Sequence, residues 1–153
     1  ERHLLDARTF SKLAQAAEII AGTRVLDIGG GTGYSAAVFA EMGARVTQLE
    51  NIASLGGPNL AASVECRQGP LTAGAPDKAP FDVIFMNGSV EEVPDNLKNQ
   101  LADAGRLLAV VSTGRASRAM LFRRSGESVG ARGLFDAHVP PLPGFQRAPT
   151  FVF

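Results

Sequence analysis

Arg24-Val25-Leu26-Asp27-Ile28-Gly29-Gly30-Gly31-Thr32-Gly33-Tyr34 decides the reading of this chain. An apolar run of strand length stops in four glycines within five residues, and an alanine-rich stretch from Tyr34 to Met42, closed by Gly43, favours helix. Strand, glycine loop and helix in that order predict the first unit of a parallel α/β sheet. The same rhythm recurs outward. Strands are predicted over Ala44–Leu49, Ser63–Arg67, Phe81–Met86 and Gly105–Ser112. Helices are predicted over 9–21, ended by Gly22, and over Val90–Ala104, with a short one within 51–62. Ala119–Arg124 and Val129–Ala137 flank Ser125-Gly126-Glu127-Ser128, which reads as a hairpin, and Phe151-Val152-Phe153 as an edge strand. The expected fold is a doubly wound, mostly parallel, Rossmann-like sheet in three αβα layers, with a C-terminal antiparallel hairpin. A chain of 153 residues without internal repeats is expected to form one domain.

In open α/β sheets, ligands sit at the carboxyl ends of the strands where the winding direction switches. The glycine loop lies at such an end, and its spacing separates two ligand classes. Gly31-x-Gly33-x-x-Ala36 can be fitted to a dinucleotide fingerprint, which places a pyrophosphate on a helix N-terminus. Asp27-x-Gly29-x-Gly31-x-Gly33 fits better, because an acid leads it and an acid repels a pyrophosphate. The same acid attracts an ammonium. S-adenosylmethionine carries an ammonium and a sulfonium and no phosphate, so the loop suits it. Glu50 ends the second strand, 17 residues beyond Gly33, where a carboxylate can accept bonds from both ribose hydroxyls. A nicotinamide dinucleotide site uses the same device, so Glu50 supports a nucleoside without choosing between them.

Residues 25–50, VLDIGGGTGYSAAVFAEMGARVTQLE, resemble the first motif and following acid of class I S-adenosylmethionine-dependent methyltransferases. More narrowly, the chain resembles the protein-L-isoaspartate O-methyltransferase family over roughly residues 8–142. The narrowing block is 80–111, PFDVIFMNGSVEEVPDNLKNQLADAGRLLAVV, followed by Phe135-Asp136-Ala137 and Val139-Pro140-Pro141-Leu142. The resemblance implies that Asp27, Gly29, Gly31, Gly33 and Tyr34 line the methionine part of the cofactor and that Glu50 holds the ribose. It implies that Asn51 and Ile52 flank the adenine, and that Gly69 follows the third strand. Pro70 stands where the family usually has an acid, so adenine recognition falls to backbone near Leu71. Asn87 and Gly88 end the fourth strand beside the methyl donor.

The acceptor side departs from the family. Its serine-containing segment before the first helix is replaced by Asp6-Ala7-Arg8-Thr9-Phe10-Ser11, which has no proline. Arg8 can clamp a carboxylate, although an exposed charge near a helix start is the plainer reading. Thr9 reads more naturally as the helix N-cap. Arg8, Thr9 and Asn87 are therefore the catalytic candidates. A carboxylate acceptor is ionised at neutral pH and needs no general base, so the lack of an obvious base is compatible with carboxyl methylation of a damaged protein. A relative that keeps the cofactor and acts as an interaction module is the alternative; a small dehydrogenase is weaker still.

Bulk properties exclude little else. Fifteen basic residues balance fifteen acidic ones, which offers no electrostatic footprint for nucleic acid or an anionic membrane. Arg115, Arg118, Arg123 and Arg124 read as a solvated face. Cys66 is the sole cysteine and reads as a buried, inert thiol. His3 and His138 form no metal-ligand pattern, and no metal is expected. No apolar run approaches the roughly 20 residues of a membrane span, and no secretory signal is visible, so a cytoplasmic location is expected. The opening Glu1-Arg2-His3, without an initiator methionine, reads as part of a longer chain. The oligomeric state is left open.

Overall fold

A computed structural model describes residues 2–55 and 61–149. Among the described residues, seven strands form one sheet: β1 (Arg24–Ile28), β2 (Arg45–Glu50), β3 (Val64–Gln68), β4 (Phe81–Val90), β5 (Leu101–Ser112), β6 (Ser117–Ser125) and β7 (Ser128–Asp136). Their order is β3-β2-β1-β4-β5-β6-β7. The chain winds outward from β1 to β3 and then returns to β4 on the other side of β1. Strands β1 to β5 are parallel, with Val25 opposite Val46 on one side and Val83 on the other. The hairpin of β6 and β7 adds antiparallel strands at the β5 edge. The doubly wound, mostly parallel sheet with an antiparallel C-terminal hairpin therefore stands.

One face is covered by α1 (Ala7–Ala17) and α2 (Tyr34–Glu41). Phe10, Phe39 and Phe85 pack there with ring centroids 5.0–5.8 Å apart. The other layer is built from tight turns at Leu71–Ala73 and Pro76–Lys78, the single-turn α3 (Asp95–Lys98), and the Leu142 and Phe145 side chains. No described helix is long and apolar enough to cross a membrane.

Several boundaries differ from the sequence reading. Helix α1 starts two residues earlier than 9 and ends at Ala17. Asp6, not Thr9, is its N-cap: the Asp6 carboxylate accepts the Thr9 N–H at 2.9 Å, which lowers its pKa. Glu18 takes a left-handed conformation (φ 50°), and Thr23 Oγ1 captures the Ile20 N–H at 3.0 Å, so 18–21 cannot continue the helix. Asp6→Ala should cost about 1 kcal/mol, the usual value of an N-cap, read as a lower urea midpoint with an unchanged slope; no shift would contradict the capping role.

The helix expected over Val90–Ala104 shrinks to Asp95–Lys98. Val90 still belongs to β4, opposite Val111, and Leu101 already pairs with Phe81. Between them the Gln100 side chain holds the second layer, accepting from Ala75 N and donating to Ala73 O at 2.9 and 3.0 Å. Within 51–62, only Ala53–Leu55 forms a 3-10 turn; 56–60 lie outside the described residues, as does the edge strand expected at 151–153. Cys66 is exposed rather than buried, because β3 is an edge strand of the sheet. Arg124 is not simply solvated: it donates to Leu101 O and Gly126 O at 2.6 and 2.8 Å, tying the hairpin turn to β5.

Candidate functional site

The switch between β1 and β4 puts the ends of β1, β2 and β4 beside one another, with the glycine loop above them. Asp27, at the end of β1, is fully buried. Ser35 Oγ donates to its Oδ2 at 2.6 Å, and Asn87 Nδ2 donates to its Oδ1 at 2.7 Å. Burial pushes the Asp27 carboxyl up to about 6; the Ser35 and Asn87 bonds pull it down, and the Glu50 charge adds to the rise. The group is thus mostly ionised at neutral pH although fully buried, poised to gain from a cation.

Contact requires glycine at positions 29 and 30, and a positive φ favours it at 29, 31 and 33. A Cβ on Gly30 would stand 2.7 Å from Asp27 Oδ2 and 3.2 Å from Gln48 Nε2. Gly29 combines a φ of +71° with Leu142 Cδ2 only 2.7 Å from where a Cβ would be. Gln48 Nε2 donates to Gly31 O at 3.1 Å and fixes the loop's height over β2. Leu142 also lies over Gly88, held there by Ser89 N to Pro140 O and Leu142 N to Ser89 O at 2.9 and 2.8 Å.

Glu50 ends β2 and is nearly inaccessible. It accepts the Gly31 and Asn51 backbone N–H groups at 3.1 and 2.8 Å, and an ion pair from Arg2. Tyr34 opens α2, half-exposed, with its ring edge-on to Phe10 at 5.4 Å. Asn51 and Ile52 are exposed beside Glu50. Gly69 follows β3 and donates its N–H to Glu50 O at 3.0 Å.

Asp27, Gly29, Gly31, Gly33, Glu50, Asn51 and Asn87 therefore converge on one cradle. Asn87 enters it as a positioning residue: its Nδ2 is spent on Asp27 and on Ile28 O at 3.1 Å. The Leu71 side chain is core, and its carbonyl is taken by Gly74 N, so only part of its backbone is left for a ligand. Arg8 is exposed in the first turn of α1, and Thr9 is buried in the same turn with its N–H bonded to Asp6. Sequence reasoning missed Ser35, Gln48, Leu142 and Arg2. Only Ser35, polar in an otherwise alanine-rich helix start, carried a signal.

A Rossmann-like sheet whose switch point joins a leading acid, a glycine loop and a second acid on the neighbouring strand defines a nucleoside-type cradle. The chain belongs to the protein-L-isoaspartate(D-aspartate) O-methyltransferase family, whose model matches residues 6–139. It is 36% identical over 141 residues to protein-L-isoaspartate O-methyltransferase 1 of Rhodopseudomonas palustris (strain HaA2), covering 86% of this chain and 58% of that protein. It is 39% identical over 137 residues to the Methylorubrum populi protein-L-isoaspartate O-methyltransferase, covering 85% and 65%. The chain thus spans about three fifths of the length of these curated relatives. Among solved structures, a protein-L-isoaspartate O-methyltransferase superposes with a TM-score of 0.79 at 26% identity, over 89% of this chain and 47% of that one. A Plasmodium falciparum structure named for the same activity, in complex with S-adenosyl-L-homocysteine, gives 0.69 at 20% identity, over 88% and 69%, which speaks for the fold.

Proposed function

We propose that this chain is one S-adenosylmethionine-binding domain that transfers the methyl group to a carboxylate of damaged protein, of the isoaspartyl type. The carrying observation is the pair of acids, Asp27 and Glu50, bracketing a loop too tight for any side chain at Gly30. Family membership and a relative solved with S-adenosyl-L-homocysteine support the same ligand.

The residues fit that cofactor. Asp27 would hold the ammonium, with Gly29, Gly31, Gly33 and Tyr34 along the methionine part. Glu50 would take the ribose hydroxyls, with Asn51, Ile52, Gly69 and backbone at Leu71 around the adenine. The bound cofactor supplies a methyl group already activated on a sulfonium. The chain's own part is positioning, which can supply on the order of 7–11 kcal/mol. Ser35 and Asn87 lock the Asp27 carboxylate, Gln48 locks the loop, and the Leu142 side chain covers Gly29 and Gly88 against water. An ionised acceptor carboxylate needs no proton removed, so the transfer requires no base. Action on intracellular protein, in the cytoplasm, is part of the proposal.

Calorimetric titration tests the cofactor. S-adenosylhomocysteine should bind in the micromolar range, about −8 kcal/mol, and NAD should give no measurable heat. Equal or tighter binding of NAD would sink the assignment. A labelled methyl group should then appear on an isoaspartyl peptide and not on its aspartyl counterpart; binding without transfer would leave the cofactor site standing and remove the activity.

A further inference from the structure

Glu50 is the acid proposed above for the ribose, and its acceptor capacity is already filled. A carboxylate offers about four lone-pair positions. Gly31 N reaches Oε2 at 3.1 Å and Asn51 N reaches Oε1 at 2.8 Å. Arg2 Nε donates to Oε2 at 3.0 Å, and Arg2 Nη2 donates to Oε1. The two backbone donors are fixed by the loop and by the end of β2. The other two belong to a single side chain, only 7% exposed.

That side chain lies in the cradle itself. Arg2 Cγ is 3.5 Å from where a Cβ on Gly31 would stand, and Arg2 Nη1 is 3.8 Å from the corresponding point on Gly29. Arg2 Nη2 also donates to Asn51 Oδ1 at 2.7 Å. Leu4 follows over the same loop, 3.9 Å from the Gly31 position, and is 59% exposed. The segment from Arg2 to Leu4 is therefore a strap across the glycine loop, anchored at Glu50 by one guanidinium.

A vicinal diol and the edge of a guanidinium both present two parallel donors to a carboxylate. They want the same two lone pairs, and the backbone donors cannot yield theirs. We propose that Arg2 is a built-in competitor for the ribose, so that the strap must leave Glu50 before a nucleoside can seat, and that this exchange sets the chain's cofactor affinity. The inference rests on reading the cradle as the S-adenosylmethionine site. A guanidinium that leaves the cradle regains water, whereas the diol takes over a site already shaped by Gly31 and Asn51, so the exchange is feasible.

The test is calorimetry with S-adenosylhomocysteine on the wild-type chain, Arg2→Ala and Arg2→Lys. Arg2→Ala should bind five- to thirtyfold more tightly than wild type, with Arg2→Lys between them, since an ammonium lacks the bidentate edge. Phenylglyoxal labelling of Arg2 in the wild-type chain, read by peptide mass, gives a second measure that needs no variant. Labelling should be slow in the free protein and rise when S-adenosylhomocysteine saturates it. Unchanged or weaker binding by Arg2→Ala, or labelling that stays level or falls with ligand, would overturn the competitor role and leave the cofactor site intact. If no form binds S-adenosylhomocysteine, Arg2→Ala included, the cofactor reading falls and this inference falls with it.

Discussion

Asp27→Asn should make the protein more stable at neutral pH and sharply weaken cofactor binding. The carboxyl is fully buried, and burial raises its pKa to about 6. A raised folded-state pKa means that the folded chain holds the proton over a range where the unfolded chain has lost it. Stability therefore falls as pH rises from the ordinary aspartate value near 3.8 to about 6, and stays low above that. A shift of about two units corresponds to a penalty of roughly 2–3 kcal/mol at pH 7. Asparagine removes the charge at nearly the same volume. Asn87 can still donate to the amide oxygen, and the Ser35 hydroxyl can turn to accept from the amide nitrogen. Urea melts should show a gain on the order of 1–3 kcal/mol at pH 7.5 that closes by about pH 4, where the wild-type carboxyl is neutral too. Binding should move the other way. Losing the counter-charge of an ammonium forfeits roughly 1.5–3 kcal/mol, a ten- to 150-fold loss for S-adenosylhomocysteine. In the wild-type chain the same affinity should decline below about pH 6 as Asp27 takes up its proton. A variant that binds normally would refute the assignment of Asp27 to the ligand's cation, and one less stable at pH 7.5 would refute the cost assigned to its buried charge.

Much of this cradle was legible because its logic is local. Asp27, Gly29, Gly31 and Gly33 lie in one loop, and the strand before them is apolar enough to force the turn to the sheet's end. Glu50 was legible because a parallel partner strand of matching length brings its end beside the loop, with Ile28 opposite Leu49. What was not legible depends on contacts without a period. The stretch LKNQLADA at 97–104 has helical composition, yet Leu101 pairs with Phe81, and a register shift between Phe81 and Val83 absorbs the extra residues before Arg106 meets Val83. Asn87 reads in the sequence as the end of a strand beside the methyl donor, but β4 runs on to Val90. Only the folded chain shows its amide turned inward to hold Asp27. Arg2 stands 48 residues from Glu50, and nothing in the sequence couples them. The Cys66 misreading has the same origin: an apolar neighbour, Val64, does not reveal that a strand lies at an edge.

Glu50→Ala should weaken both the ligand site and the free protein. An exposed acid that served only a ligand would leave stability unchanged. Glu50 is instead 3% exposed and takes the N–H groups of Gly31 and Asn51 and the guanidinium of Arg2. Removing it strands a largely buried cation and deprives two backbone donors, and each unmade buried bond costs about 1–3 kcal/mol before solvent enters the gap. Since alanine leaves room for water beside Asn51, which is exposed, the net loss in a urea melt should be about 1–3 kcal/mol. Adding Arg2→Ala should recover part of it, because the double variant no longer leaves a charge without its partner. Affinity for S-adenosylhomocysteine should drop ten- to 150-fold in Glu50→Ala, from roughly 1.5–3 kcal/mol of charged hydrogen bonds. It should stay low in the double variant, because removing the competitor cannot help once the contested carboxylate is gone. Normal binding by Glu50→Ala would show that the ribose is held elsewhere. A double variant that regained wild-type affinity would show that Glu50 serves only to park Arg2.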